Sequence, residues 1–282
     1  MTLLQVTWDA SPVIFNLGPL SVRWYGLFWA LSFYFGYEIM YRIFKRESVP
    51  LMQVDKLLLY IALGAVVGAR LGHCFFYDFN YYINNPLEIL MIWQGGLASH
   101  GGAIGIILAL YIYQKKVSSK SYAWLLDRLV IPISLGAFFI RMGNLMNSEI
   151  YGHQTDLSWG FIFVRAGEVV PKHPTQFYEG IPYLLLFLGL GWLYLKKAKV
   201  LPPAFMLSLF AIVMFTVRFL VEFVKEDQSA FEANMTLNMG QWLSLPLIVA
   251  GVVVFFWSLK QQPEPITIKE NLKEKPKEKK RR

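Results

Sequence analysis

Seven apolar stretches, near residues 20–41, 54–76, 97–114, 123–144, 179–195, 203–224 and 240–259, constrain this chain more than any other feature. A bilayer core is crossed by about 17–25 apolar residues as a helix. Hydrocarbon offers no partner to an unpaired main-chain N–H or C=O, so each stretch must satisfy its own backbone by being helical. Charged residues are 16% of the 282 residues and the mean hydropathy is positive, whereas soluble domains carry roughly 25% charged residues. The expected fold is all-α: a polytopic membrane protein with about seven transmembrane helices, residues 1–260 forming a single transmembrane domain.

Basic residues set the expected orientation. Arg42, Lys45 and Arg46 follow the first span, Lys115, Lys116 and Lys120 the third, Lys196, Lys197 and Lys199 the fifth, and nine more the seventh. The alternate connections are poor in them, with only Arg165 and Lys172 between about 145 and 178 and Lys225 after the sixth span. Loops rich in lysine and arginine stay in the cytoplasm, which puts the N-terminus outside and the C-terminus inside. No basic region precedes the first apolar run and no small-residue cleavage site follows it, so that span is expected to be retained. Much of the formal net charge of +8 comes from residues 261–282, where lysines and arginines alternate with Glu and Pro. Such a segment cannot bury enough apolar surface to fold, and it is expected to be a disordered cytoplasmic tail. It suits anionic membrane lipid better than nucleic acid, which is not expected as a partner. The one cysteine, Cys74, excludes an internal disulfide and is expected to be a buried thiol.

Against this background the polar residues inside the spans stand out. An arginine near the centre of a membrane helix costs about 2.5–3.5 kcal/mol on insertion scales, so it faces a cavity, a partner or a ligand. Arg141 closes the fourth span, in Arg141-Met142-Gly143-Asn144-Leu145-Met146-Asn147-Ser148-Glu149-Ile150-Tyr151-Gly152. With odd spans running inward, Tyr25, Arg70, His100, Arg141 and Arg218 are all expected in the outer half of the membrane. Independent snorkelling would put arginines at both ends. Arg218 and Glu222 lie four residues apart and share a helix face, but several arginines need more anions than one glutamate supplies. A phosphate suits them, because guanidinium binds phosphate bidentately and keeps its proton.

Around His100, the run Gly95-Gly96-Leu97-Ala98-Ser99-His100-Gly101-Gly102-Ala103-Ile104-Gly105 lets another backbone or a lipid headgroup come close. Gly101 and Gly105 also form a small-xxx-small pair suited to helix packing. In His173-Pro174-Thr175-Gln176-Phe177-Tyr178-Glu179, Thr175 suits an N-cap and Glu179 the positive end of a helix dipole. His173, Gln176 and Tyr178 are then expected at the rim of a cavity.

The segment Arg141 to Gly152 closely resembles the signature of bacterial prolipoprotein diacylglyceryl transferases. Supporting matches are Arg23-Trp24-Tyr25-Gly26, Gly68-Ala69-Arg70, His100-Gly101-Gly102, His173 to Glu179, and Arg218 with Glu222, in order across about residues 12–260. The resemblance implies a seven-helix enzyme of the bacterial cytoplasmic (inner) membrane, its site toward the outer side and residues 1–260 its catalytic domain. It implies transfer of the sn-1,2-diacylglyceryl group from phosphatidylglycerol to the lipobox cysteine of a preprolipoprotein signal peptide, releasing glycerol phosphate. The family pattern makes Arg141 and Arg218 essential arginines near the headgroup and marks Tyr25, His100, Asn144, Glu149, Gly152 and Glu222 as functional. Arg141, Arg218, His100 and Tyr25 are the catalytic candidates. Arg141, Asn144, Glu149, Gly152, Glu222, Arg70, Gly101, Gly102, Gln176 and Tyr178 are the candidates for binding substrate. Two positions depart from the pattern: Met214 stands where some members carry a functional tyrosine, and Lys225 replaces an arginine.

Such a reaction is a substitution at a glycerol carbon, so it needs a thiolate and a stabilised phosphate leaving group. A free cysteine has a pKa of about 8.5 and needs a base or nearby positive charge. His100 is the expected proton acceptor. No cofactor is expected, and no Cys, His or carboxylate spacing resembles a metal site. A transporter of anionic lipid or peptide is the main rival, but it predicts two related halves with broken helices, and no internal repeat is apparent. An intramembrane serine protease is weaker still, since Ser99 and His100 are adjacent and no Gly-x-Ser-x-Gly turn occurs.

Overall fold

The computed structural model describes residues 5–18, 20–226 and 235–265. Three short strands, β1 (Val6–Trp8), β2 (Val13–Leu17) and β3 (Leu20–Arg23), lead into α1 (Trp24–Arg46) and α2 (Met52–Phe76). A short helix, α3 (Phe79–Asn84), and two 3-10 turns over 86–94 connect to α4 (Ser99–Lys116) and α5 (Tyr122–Met146). An irregular segment carrying β4 (Phe161–Phe163) precedes α6 (Thr175–Lys197), α7 (Phe205–Val221) and α8 (Met239–Ser258).

The chain is mostly helical. Four helices, α2, α5, α6 and α8, are long and apolar enough to cross a membrane, and α7 is a shorter apolar helix. The all-α expectation needs correction at the N-terminus, where β2 and β3 form an antiparallel hairpin and β1 pairs in parallel with β4. Residues 20–23, expected inside the first span, are strand. The pairing of β1 with a segment 155 residues away (Val6 with Phe161) leaves no local periodicity to read. From residue 266 on, the expected tail lies outside the described residues.

Burial is arranged inside out. Leu63, Ile107, Leu185, Trp192, Val249 and Phe256 are exposed, while Arg70, Asn144, Gln176, Glu179, Glu222, Lys225, Ser134, Ser208 and Ser244 are buried. A soluble protein would lose about 25 cal/mol for each Å² of apolar surface left in water; in hydrocarbon that term vanishes and only the polar groups must hide. This pattern fits a multi-pass membrane protein.

The described residues divide into two compact units, one from those up to Ile39 and from Leu126 to Glu264, the other from Met40–Leu125. In the first, α7 and α8 pack closely, with Gly251 of α8 against Ala211 and Ile212 of α7. Asp127 of α5 accepts the main-chain N–H groups of Ala204 and Leu207, each at 2.8 Å. It supplies from a neighbouring helix the cap that Ala204, in the left-handed region at φ 61°, does not give α7. In the second unit α2 and α4 make the main contact. A Cβ on Gly68 would lie 2.4 Å from the Gly101 carbonyl oxygen, and one on Gly105 would lie 2.1 Å from that of Gly64. Gly101 and Gly105 are thus the small residues on which these helices cross. Cys74 is free and buried.

Candidate active site

In the first unit the site grows from the end of α5. Tyr25, in the first turn of α1, lies over Gly143, where a Cβ would sit 2.7 Å from the tyrosine ring. Gly180 of α6 gives similar room to Met142 and Arg141. Gly143 therefore lets the start of α1 close on the arginine turn of α5, and Gly180 lets the start of α6 do the same. Arg141 forms an ion pair through Nε with Oε2 of Glu179, and its NH1 donates to Asn144 Oδ1 at 3.2 Å. Asn144 in turn donates to Glu149 Oε1 at 2.8 Å, and Asn147 donates to the same oxygen at 3.2 Å.

The segment after α5 is strained. Ser148 and Ile150 have φ of 53° and 59°, a region that is an outlier for a β-branched residue and costs on the order of 1–3 kcal/mol. Hydrogen bonds from α6 hold it there: Thr175 Oγ1 donates to the Ile150 carbonyl at 2.6 Å and Gln176 Nε2 to the Glu149 carbonyl at 2.7 Å. Thr175 is therefore not an N-cap. Pro174 occupies that position without a side-chain cap, and the threonine hydroxyl serves the preceding segment. Gly152 is fixed by close approach, since a Cβ there would lie 2.1 Å from the Val224 carbonyl oxygen and 2.8 Å from His173 Cβ.

Glu179 and Lys225 complete the cluster, and neither was among the expected site residues. Glu179 is 1% exposed and holds Arg141 on one oxygen and Lys225 Nζ, at 3.4 Å, on the other. Its place near the start of the fifth apolar span suggested only a dipole interaction. Lys225 donates to Glu222 Oε1 at 2.8 Å, and Arg218 Nε lies 3.9 Å from the same oxygen. Asn238 donates to Glu222 Oε2 at 3.1 Å, and Gly240 leaves room for that carboxylate, because a Cβ there would meet it at 2.4 Å. The result is a chain of alternating charge, Arg141, Glu179, Lys225, Glu222, Arg218, with one expected arginine at each end.

Tyr178 accepts from Trp159 Nε1 at 2.8 Å and lies 3.1 Å from His173 Nδ1. Burial, then the nearby His153, holds the His173 imidazole below its ordinary pKa. Beside it, Lys172 bonds Glu226 at 2.5 Å and Glu168 at 3.3 Å. Tyr151 donates to Glu168 at 2.8 Å, and burial followed by that carboxylate pushes its phenol up to about 12.

In the second unit, Arg70 is 3% exposed and serves main-chain oxygens. Nε donates to the Ile89 carbonyl at 2.9 Å, NH1 to Gly95 at 2.7 Å and Gly96 at 3.2 Å, and NH2 to Glu88 at 2.5 Å. These bonds hold the 86–96 loop. Tyr82 lies 5.0 Å from its guanidinium carbon. Gly101 packs α4 against α2, a Cβ on Gly102 would meet Ala65 and Ala69 only at ordinary van der Waals distance, and His100 is exposed at the start of α4.

An apolar helical chain that buries carboxylates paired with basic side chains near its helix ends has the make-up of an integral membrane protein. Residues 12–257 match the family described as prolipoprotein diacylglyceryl transferase, and the chain belongs to that family. A relative from Chloroherpeton thalassium is 46% identical over 92% of this chain and 97% of its own length. One from Tolumonas auensis is 45% identical over 90% and 98%, and one from Bacteroides fragilis 40% over 90% and 96%. All three are named phosphatidylglycerol–prolipoprotein diacylglyceryl transferase.

Proposed function

We propose that this chain transfers the sn-1,2-diacylglyceryl group of phosphatidylglycerol to the lipobox cysteine thiol of a preprolipoprotein, forming a thioether and releasing glycerol phosphate. The observation that carries the reading is the alternating network with Arg141 and Arg218 at its ends, in a chain of this family. The sulfur attacks the glycerol carbon, the carbon–oxygen bond to phosphate breaks, and the electron pair leaves with glycerol phosphate. Arg141 and Arg218 stabilise the charge gathering on that phosphate. Asn144 and Glu149 orient Arg141, Tyr25 packs against the same turn, and Gly152, Gln176 and Tyr178 shape the segment beside it. His100 takes the thiol proton, a role supported by its place in the His100-Gly101-Gly102 motif. Gly101 packs α4 against α2 and so fixes the start of the helix that carries His100.

In this reading seven helices cross the bacterial inner membrane with the N-terminus outside, the site toward the outer side and the tail on cytoplasmic lipid, as the lysine and arginine distribution supports. A transporter of anionic lipid is not favoured by the family membership. Purified protein incubated with phosphatidylglycerol and a synthetic lipobox peptide should raise the peptide mass by one diacylglyceryl group. No mass change with folded protein, or the same change with a cysteine-to-serine peptide, would overturn the reading.

A further inference from the structure

Three cations and two carboxylates alternate in the network, and the middle cation is the most buried. Lys225 is 3% exposed in its side chain, Glu222 5% and Glu179 1%, whereas Arg218 is 38% exposed. Glu222 Oε1 has two suitors, and the lysine has the better geometry: 2.8 Å to Nζ against 3.9 Å to Arg218 Nε. An arginine four residues before a glutamate on a helix is placed to pair with it, and a tight pair would occupy the fork that must grip phosphate. The same ammonium lies 3.4 Å from Glu179, the partner of Arg141.

We infer that Lys225 is a positioning residue: it neutralises Glu222 and so keeps Arg218 free for the lipid phosphate, while tying Glu222 to Glu179 and hence to Arg141. Without it two buried carboxylates face each other with the arginines as their available counter-charges, and Glu222 draws Arg218 inward. A point charge suits this task, since three rotatable N–H donors serve carboxylates on two helix ends at once. Lys225 touches no substrate. Its effect passes through Arg218, so the inference rests on the phosphate role proposed above.

The test compares Lys225→Met, Lys225→Arg and the double variant Lys225→Met with Glu222→Gln, each purified whole and checked for a folded thermal transition. Binding of detergent-dispersed phosphatidylglycerol is measured apart from turnover on the lipobox peptide. Lys225→Met should weaken lipid binding and raise KM for phosphatidylglycerol at least tenfold, with a smaller change in kcat. Lys225→Arg should stay within about threefold of the parent, about half of a tenfold step in free energy. The double variant should bind lipid better than Lys225→Met alone, because the carboxylate that captured Arg218 is gone. Should the double variant recover thermal stability but not lipid affinity, Lys225 is only structural and the inference fails. Unchanged lipid affinity in a folded Lys225→Met protein overturns it as well. Absence of transfer in the parent would instead overturn the proposed function, and the lipid-binding arms would still report on Lys225.

Discussion

Arg70 and Arg141 are the same side chain, each near the end of a long apolar helix, yet they are used in opposite ways. Arg141 is held by side chains, Glu179 on Nε and Asn144 on NH1, so its position is set by groups that carry charge or relay it. Arg70 is held by four main-chain carbonyls of one loop, which consume donors without balancing charge. An intramembrane arginine must find oxygen, but which oxygen decides whether it can serve a phosphate or must serve the fold.

That contrast can be broken or sharpened at several places. The largest expected effect is from Arg218→Gln, which should lower transfer about 10²–10³-fold, the usual loss on removing a preorganised donor to developing charge; the thermal midpoint should stay near the parent's, and a normal rate would break the comparison. Gly152→Ala should cost about 10²-fold, since moving the Val224 carbonyl shifts the strained Ser148–Gly152 segment and misplaces Glu149. Turnover per folded molecule checks both. On the architectural side, Gly68→Ala should destabilise by roughly 1–3 kcal/mol through overpacking at the α2–α4 crossing, read as a fall in the thermal midpoint with little change in transfer by the molecules that remain folded. The smallest effect belongs to His173. Its pKa is lowered on folding, so the native state binds fewer protons, and its contribution is present above the unperturbed value near 6.5 and lost as pH falls through the lowered one. The thermal midpoint should drop on acidification less steeply in His173→Gln than in the parent.

Much of this was legible in the chain because the bilayer imposes rules that short patterns obey. The long apolar runs gave helix positions within a few residues, as with 54–76 against Met52–Phe76, and the Arg141–Gly152 run pointed to the candidate site. The strands were not legible, because β1 needs a partner far along the chain and β3 continues the apolar run that becomes α1. Glu179 and Lys225 were hidden for another reason. Each had a sufficient local explanation, a helix dipole for one and a family departure for the other, and only the approach of α6 to the end of α7 makes them partners. The carbonyl partners of Arg70 were not legible either, since sequence marks an arginine in apolar surroundings without naming its acceptors.

The division between the two arginines is tested most directly by single-turnover transfer from phosphatidylglycerol to a lipobox peptide in Arg141→Gln and Arg70→Gln, each normalised to folded protein. Arg141→Gln should fold with a midpoint near the parent's and lose about 10²-fold or more in rate. Arg70→Gln should lose stability on the order of 2–4 kcal/mol, from carbonyls left unpaired, while its folded fraction transfers near the parent rate. The reverse result, an active Arg141→Gln protein or a stable Arg70→Gln protein without transfer, would contradict the account.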